Sequence, residues 1–136
     1  MSLQSVIPKN GPPPDPASEE SRWGLPDLLL DLVEDGSPDL MEELIVAFQT
    51  DIQTRLKQVR QALADSDLKG IRAGIHSIKG SAQQMGATAM ASMCLNIELA
   101  GGDLTPVQLS QNLSGLEGEF DHICHAMAAY SIVQRR

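Results

Sequence analysis

Aromatic residues are scarce in this chain, 3% of its 136 residues, with one Trp, one Tyr and two Phe. A core made without them must come from Leu, Ile, Val, Met and Ala, a palette that favours helix over strand. No apolar run approaches the length needed to span a bilayer, and the N-terminus lacks the basic-then-apolar pattern of a signal peptide. The expectation is a cytoplasmic protein with no membrane insertion. Cysteine is limited to Cys94 and Cys124, at no motif spacing. They read as two reduced packing groups and not as a disulfide. Positive charge is short as well: 10 Lys and Arg stand against 18 Asp and Glu, a net charge of −8. That balance argues against general nucleic-acid binding. The chain has no Gly-rich phosphate loop, no kinase motif and no carboxylate cluster suited to Mg²⁺.

What is present suits one domain plus a tail. Hydrophobic residues make up 42%, enough for a single core. Residues 1–22 hold Pro8, Pro12, Pro13, Pro14 and Pro16, five of the eight prolines. Such a segment cannot hold a helix and has little to bury, so it reads as a flexible tail or linker. Residues 23–134 carry helical signals throughout. A short helix is predicted over 26–34, with Pro26 at its first position and Gly36 past its end. A second is capped by Ser37, with Pro38 in its first turn, and runs to Asp65 on the stripe Met41, Leu44, Phe48, Ile52, Leu56, Val59, Leu63. Asp67 caps a third, with Leu68, Ile71, Ile75, Ile78, Ala82 and Met85, which Gly86 stops. A fourth spans 88–100 with Met90, Met93, Cys94 and Ile97 inward, ended by Gly101-Gly102. The last opens at Thr105-Pro106 and carries Leu109, Leu113, Leu116, Phe120, Ile123, Met127 and Tyr130. There is no strand pattern and no internal repeat. Four long amphipathic helices on short turns predict an all-α, antiparallel up-down four-helix bundle, with the short additional N-terminal helix capping one end.

The third helix carries residues that a plain bundle does not need. Its apolar stripe is complete without His76, which sits about 100° round from Ile75 at the stripe's edge. Helical neighbours join it to one exposed strip: Arg72, His76, Lys79, Gly80 and Gln83. A neutral imidazole nitrogen is a competent nucleophile near neutral pH, which makes His76 a candidate phosphoacceptor. Lys79, one turn along, is placed to hold an ammonium beside phosphoryl oxygens. Gly80 costs roughly 1 kcal/mol against Ala in mid-helix. A bare helix surface there leaves room for a phosphoryl group and an approaching partner. Close helix packing is the other reading of Gly80, shared with Gly70 and Gly74, for which the sequence offers no sharper account.

The next turn supplies a further candidate. If the third and fourth helices are antiparallel about Gly86-Ala87, His76 and Glu98 lie equally far from Ala87 on either side. Glu98 is then placed to accept a hydrogen bond from His76 Nδ1–H, which would fix the tautomer and leave Nε2 as the nucleophile.

The segment His76-Ser77-Ile78-Lys79-Gly80, followed six residues on by Gly86-Ala87, closely resembles the signature of the histidine-containing phosphotransfer (HPt) family. The resemblance covers roughly residues 25–130 and includes the Asp67 helix start and the stripe around Phe48. It implies an antiparallel four-helix bundle in which the His is the phosphoacceptor, the Lys assists the phosphate, the Gly keeps access open and the residue at Glu98 orients the imidazole. One departure is Ile75, where members often carry a small Ala. The resemblance further implies phosphorelay signal transduction with no cofactor of the domain's own. The chain would act as a stoichiometric carrier, not a turnover enzyme. Its partners would be a response-regulator receiver domain, which holds the Mg²⁺, and a sensor or hybrid histidine kinase. The monomer is the default. Between residues 51 and 79, Arg55, Lys57, Arg60, Lys69, Arg72 and Lys79 outnumber Asp51, Asp65 and Asp67, a local +3 that would favour an acidic partner.

Two other classes compete. A non-phosphorylated helical adaptor would use the same strip for docking alone. A metal-binding bundle would use His122, Cys124 and His125, but the sequence points to no further ligands, so a histidine pair on a helix flank is the better reading.

Overall fold

The computed structural model describes residues 23–27, 29–30 and 39–134. Four α-helices dominate: α1 (Leu40–Ala64), α2 (Leu68–Gln84), α3 (Thr88–Ala100) and α4 (Pro106–Gln134), with one 3₁₀ turn at Gly101–Asp103. No strand occurs among the described residues. The expected tail at 1–22, the Ser37-Pro38 start and most of the expected 26–34 helix lie outside the described residues. Of that helix, the Leu29 and Leu30 N–H groups both donate to the Pro26 carbonyl.

Local chemistry sets the helix ends. The Asp67 carboxylate accepts the Gly70 N–H at 3.0 Å and so caps α2. Thr105 and Gln108 exchange side-chain to backbone bonds at the start of α4, a reciprocal capping box. Gly86, at φ +71°, adopts the left-handed conformation after α2, and Ala87 N–H reaches back to the Ala82 carbonyl at 2.8 Å. Ser66 does the same after α1 at φ 56°, with Asp67 N–H on the Ala62 carbonyl.

The helices form a ring in which each contacts its sequence neighbours and α1 also meets α4. α1 and α2 run antiparallel: Gly70 faces Ala62, Gly74 faces Val59, and Ser81 donates to Asp51 at 3.0 Å. The core between the helices is aliphatic, with Ile52, Ile75, Ile78, Met90, Cys94, Leu116 and Met127 fully buried. At one end residues 23–26 lie over the α2–α3 turn. The Trp23 indole N–H donates to the Met85 carbonyl at 2.6 Å, and its ring meets Tyr130 edge-on at 5.2 Å. On the α1–α4 seam, the Arg60 guanidinium grips Glu117, Ser110 and Ser114.

Six stripe positions differ from expectation, two of them on α4, where Leu109 and Tyr130 are half-buried. Ile45 and Ala62, not Leu44 and Leu63, take the inner places on α1. The glycine face of α2 comes so close near Gly70 that only a small residue fits opposite, which turns Leu63 to the edge. On α3 Ala91 is buried and Met93 is half-buried. Leu68 is 57% exposed because it begins α2 and projects past the bundle end. Cys94 is buried, Cys124 is half-buried, and both are free.

Gly70 and Gly74 acquire a role here. A Cβ on Gly74 would run into Val59 Cγ2, and Val59 is buried and too short to swing aside. Gly74→Ala is therefore expected to destabilise the fold by about 1–3 kcal/mol through overpacking, outweighing a helix-propensity gain of about 1 kcal/mol. The urea midpoint should fall with an unchanged m-value, and the loss should shrink in a Val59→Ala background.

Candidate functional site

The site lies on the outer edge of the α2–α3 pair. The turn from α2 to α3 has only three residues, so α3 folds straight back along α2 and brings Glu98 level with His76. One Glu98 oxygen lies 2.9 Å from His76 Nδ1, and the other accepts from Lys79 Nζ at 2.5 Å. A carboxylate can only accept, so Nδ1 carries the proton and Nε2 holds the free lone pair of the neutral ring. The His76 side chain is 72% exposed, against 24% for Glu98 and 19% for Lys79. The nucleophile candidate therefore stands in solvent on two half-buried supports.

The Lys79 ammonium, and secondarily the His76 bond, hold the Glu98 carboxyl below the usual glutamate range, against an opposing desolvation cost. One turn before Glu98 on α3, Cys94 is pushed up to about 12, chiefly by burial, so it is no competing nucleophile. Gly80 lies one turn beyond His76, and a Cβ placed there would meet nothing within 4 Å. Of the two readings of Gly80, packing fails and open surface remains.

Arg72, His76 and Gln83 are all exposed on the strip, as expected. Lys79 departs from it: its side chain folds down onto Glu98 because that carboxylate is the nearest opposite charge. The broad basic face is also narrower than its charge count. Arg55 is held by Asp51 within α1, and Arg60 turns away to Glu117 on α4. Lys57, Lys69 and Arg72 remain exposed with no ion pair among the described residues. Beside the site, sequence reasoning missed the cluster of Asp51, Arg55 and Ser81. The Asp51–Arg55 spacing of four on one helix was a legible signal; Ser81 gave none. His125 spends its Nδ1 on the Asp121 carbonyl of its own helix. Among the described residues no group of three or more His, Cys, Asp or Glu is placed to hold a metal ion. Among those residues, too, no helix is long and apolar enough to cross a membrane.

The Hpt domain family model matches residues 43–130, a span that contains every residue of this site. The chain belongs to the Hpt domain family. Members of this family serve phosphorelay signal transduction. The fold resembles the crystal structure of histidine-containing phosphotransfer protein B (HptB) from Pseudomonas aeruginosa PAO1. That match has a TM-score of 0.68 and 27% identity, over 82% of this chain and 96% of that one. In sequence the chain is similar to histidine-containing phosphotransfer protein 2 of Arabidopsis thaliana, at 29% identity over 70 residues. That similarity spans 49% of this chain and 45% of the Arabidopsis protein, so the chain covers less than half of that relative. Within this Hpt bundle His76 stands on α2 and Glu98 braces it from α3.

The bracing carries a pH signature. Glu98 titrates lower in the folded Hpt domain than in the unfolded chain, so its contribution to stability is fully present above the ordinary glutamate value near 4.5. It is lost as pH falls through the lower folded value. The stability difference between the wild type and Glu98→Gln should accordingly be present at neutral pH and shrink in acid as Glu98 takes up its proton. Denaturant melts at a series of pH values measure it, and Lys79→Met should move the Glu98 titration, followed by NMR, back toward the ordinary range.

Proposed function

We propose that His76 is the phosphoacceptor of a phosphorelay carrier. The observation that carries this reading is the Nδ1–Glu98 contact, which turns the Nε2 lone pair outward beside the bare helix surface at Gly80. In this reading Nε2 attacks the phosphorus of an aspartyl phosphate on a receiver domain, in line with the leaving carboxylate oxygen. The N–P bond forms as the P–O bond breaks, and the aspartate departs with the electron pair. The imidazole ring gains positive charge, which the Glu98 carboxylate on Nδ1–H offsets. Lys79, one turn along the helix, supplies a cation near the new phosphoryl oxygens. Gly80 leaves the space through which donor and acceptor approach, and Arg72 and Gln83 flank the docking face. The step is reversible, because neither nitrogen nor carboxylate oxygen holds the phosphoryl group much more tightly than the other. The domain is then a stoichiometric carrier, and the Mg²⁺ for transfer belongs to the receiver. A sensor or hybrid histidine kinase is the other partner of this reading, as an alternative phosphoryl donor. A cytoplasmic monomer goes with this reading, as does a bundle domain over 23–134 following a linker at 1–22.

Incubation with a phosphorylated receiver domain tests it. The expected product is an acid-labile, base-stable phosphate mapped to His76 and absent from His76→Gln. A His76→Gln protein that retains full signalling function would instead establish a docking adaptor. Gly80→Ala separates access from folding: it should raise helix stability by about 0.5–1 kcal/mol yet slow transfer by about 10- to 100-fold, the scale of an ångström-sized displacement at a reacting centre.

A further inference from the structure

On the amino-terminal side of His76 the α2, α3 and α4 helices leave a groove of about 360 Å³. Its floor is aliphatic: Ile71, Ile75, Ile97 and Leu109. The same four side chains also line a second void of about 10 Å³. The reason for the groove is local. α3 ends here, Gly101 and Gly102 contribute no side chains to the wall, and Leu109 is only half-buried. The volume is at the lower end of the roughly 300–1,000 Å³ of small-molecule sites, and amounts to roughly a dozen water-sized volumes.

Two charged residues border the groove, Arg72 and Glu98. They do not pair with each other. Glu98 is taken by Lys79 and His76, whereas Arg72 is exposed and has no ion pair among the described residues. An anion entering the mouth meets an uncommitted guanidinium, while a cation meets a carboxylate already neutralised and a repelling Arg72.

We propose that this groove binds a short aliphatic carboxylate, with its chain on Ile71, Ile97 and Leu109 and its carboxylate on Arg72. Glu98 forms one wall, so a bound acid sits against the group that holds His76 Nδ1 and obstructs the approach to the ring. The obstruction, unlike the binding, rests on His76 being the phosphoacceptor.

Octanoate, kept below its micelle concentration, is the probe, added to the ¹⁵N-labelled full chain. Saturable shifts are expected at the Gly101 and Gly102 amides. Octylamine should bind at least about tenfold more weakly, and Arg72→Gln should weaken octanoate by about tenfold, the scale of one charge-assisted hydrogen bond. Shifts that do not saturate, or that scatter over the whole surface, overturn the site. Equal binding of octylamine, or unchanged binding by Arg72→Gln, overturns the assignment of the carboxylate to Arg72. In a second arm, octanoate should slow phosphotransfer to His76 several-fold. Saturable binding with transfer at its unliganded rate overturns the obstruction. Absence of transfer even without octanoate counts against the phosphoacceptor reading alone, since the binding arm decides the groove without it.

Discussion

The site depends on the register of α3 against α2, which a turn of three residues imposes. Gly86 in the left-handed conformation and the Ala87-to-Ala82 backbone bond close α2 and launch α3 in the opposite direction with no slack. Trp23 ties down the same corner through the Met85 carbonyl. With that corner held, the distance along each helix decides what meets what. A register displaced by one residue would rotate Glu98 about 100° away from His76 and leave Lys79 without its partner. The chemistry of the site is thus an outcome of turn geometry many ångströms away.

Glu98 divides its two oxygens between two tasks. One is on His76 Nδ1 and the other on Lys79 Nζ. The lysine lowers the carboxyl further below the usual glutamate range, and the ionised carboxylate, which can only accept, fixes the imidazole tautomer. All three groups are at least partly in water, so this network adds little to folding stability. Its value is orientation: an exposed imidazole on a bare helix would otherwise sample several rotamers and both tautomers.

Glycine on α2 shows how one residue type meets different demands along a single helix. Gly70 and Gly74 stand where α1 comes too close for a Cβ, against Ala62 and Val59. Gly80 stands where nothing is within reach of one. The first two are explained by packing inside the chain. The third has no packing explanation inside the chain: it leaves a bare patch of helix surface one turn from the exposed His76.

Much of this was legible in the residues alone. Apolar spacing, the Asp67 and Thr105 caps and the Gly86 stop placed the helices, because each is a short-range effect of the backbone and its nearest side chains. The helix at 88–100 was predicted at the ends observed. The contact between His76 and Glu98 was also readable, since a three-residue turn converts sequence distance into spatial register. Beyond that hairpin the sequence alone did not decide the outcome. Which of Leu44 and Ile45 faces inward depends on the neighbouring helix, not on period. That Arg60 leaves the basic face for Glu117, far along the chain on α4, depends on how α1 meets α4. The groove beside His76 exists because α2, α3 and α4 fail to fill one corner. Local rules act within a few residues and are written in order along the chain; contacts between distant helices depend on angles and gaps that arise only when all four are assembled.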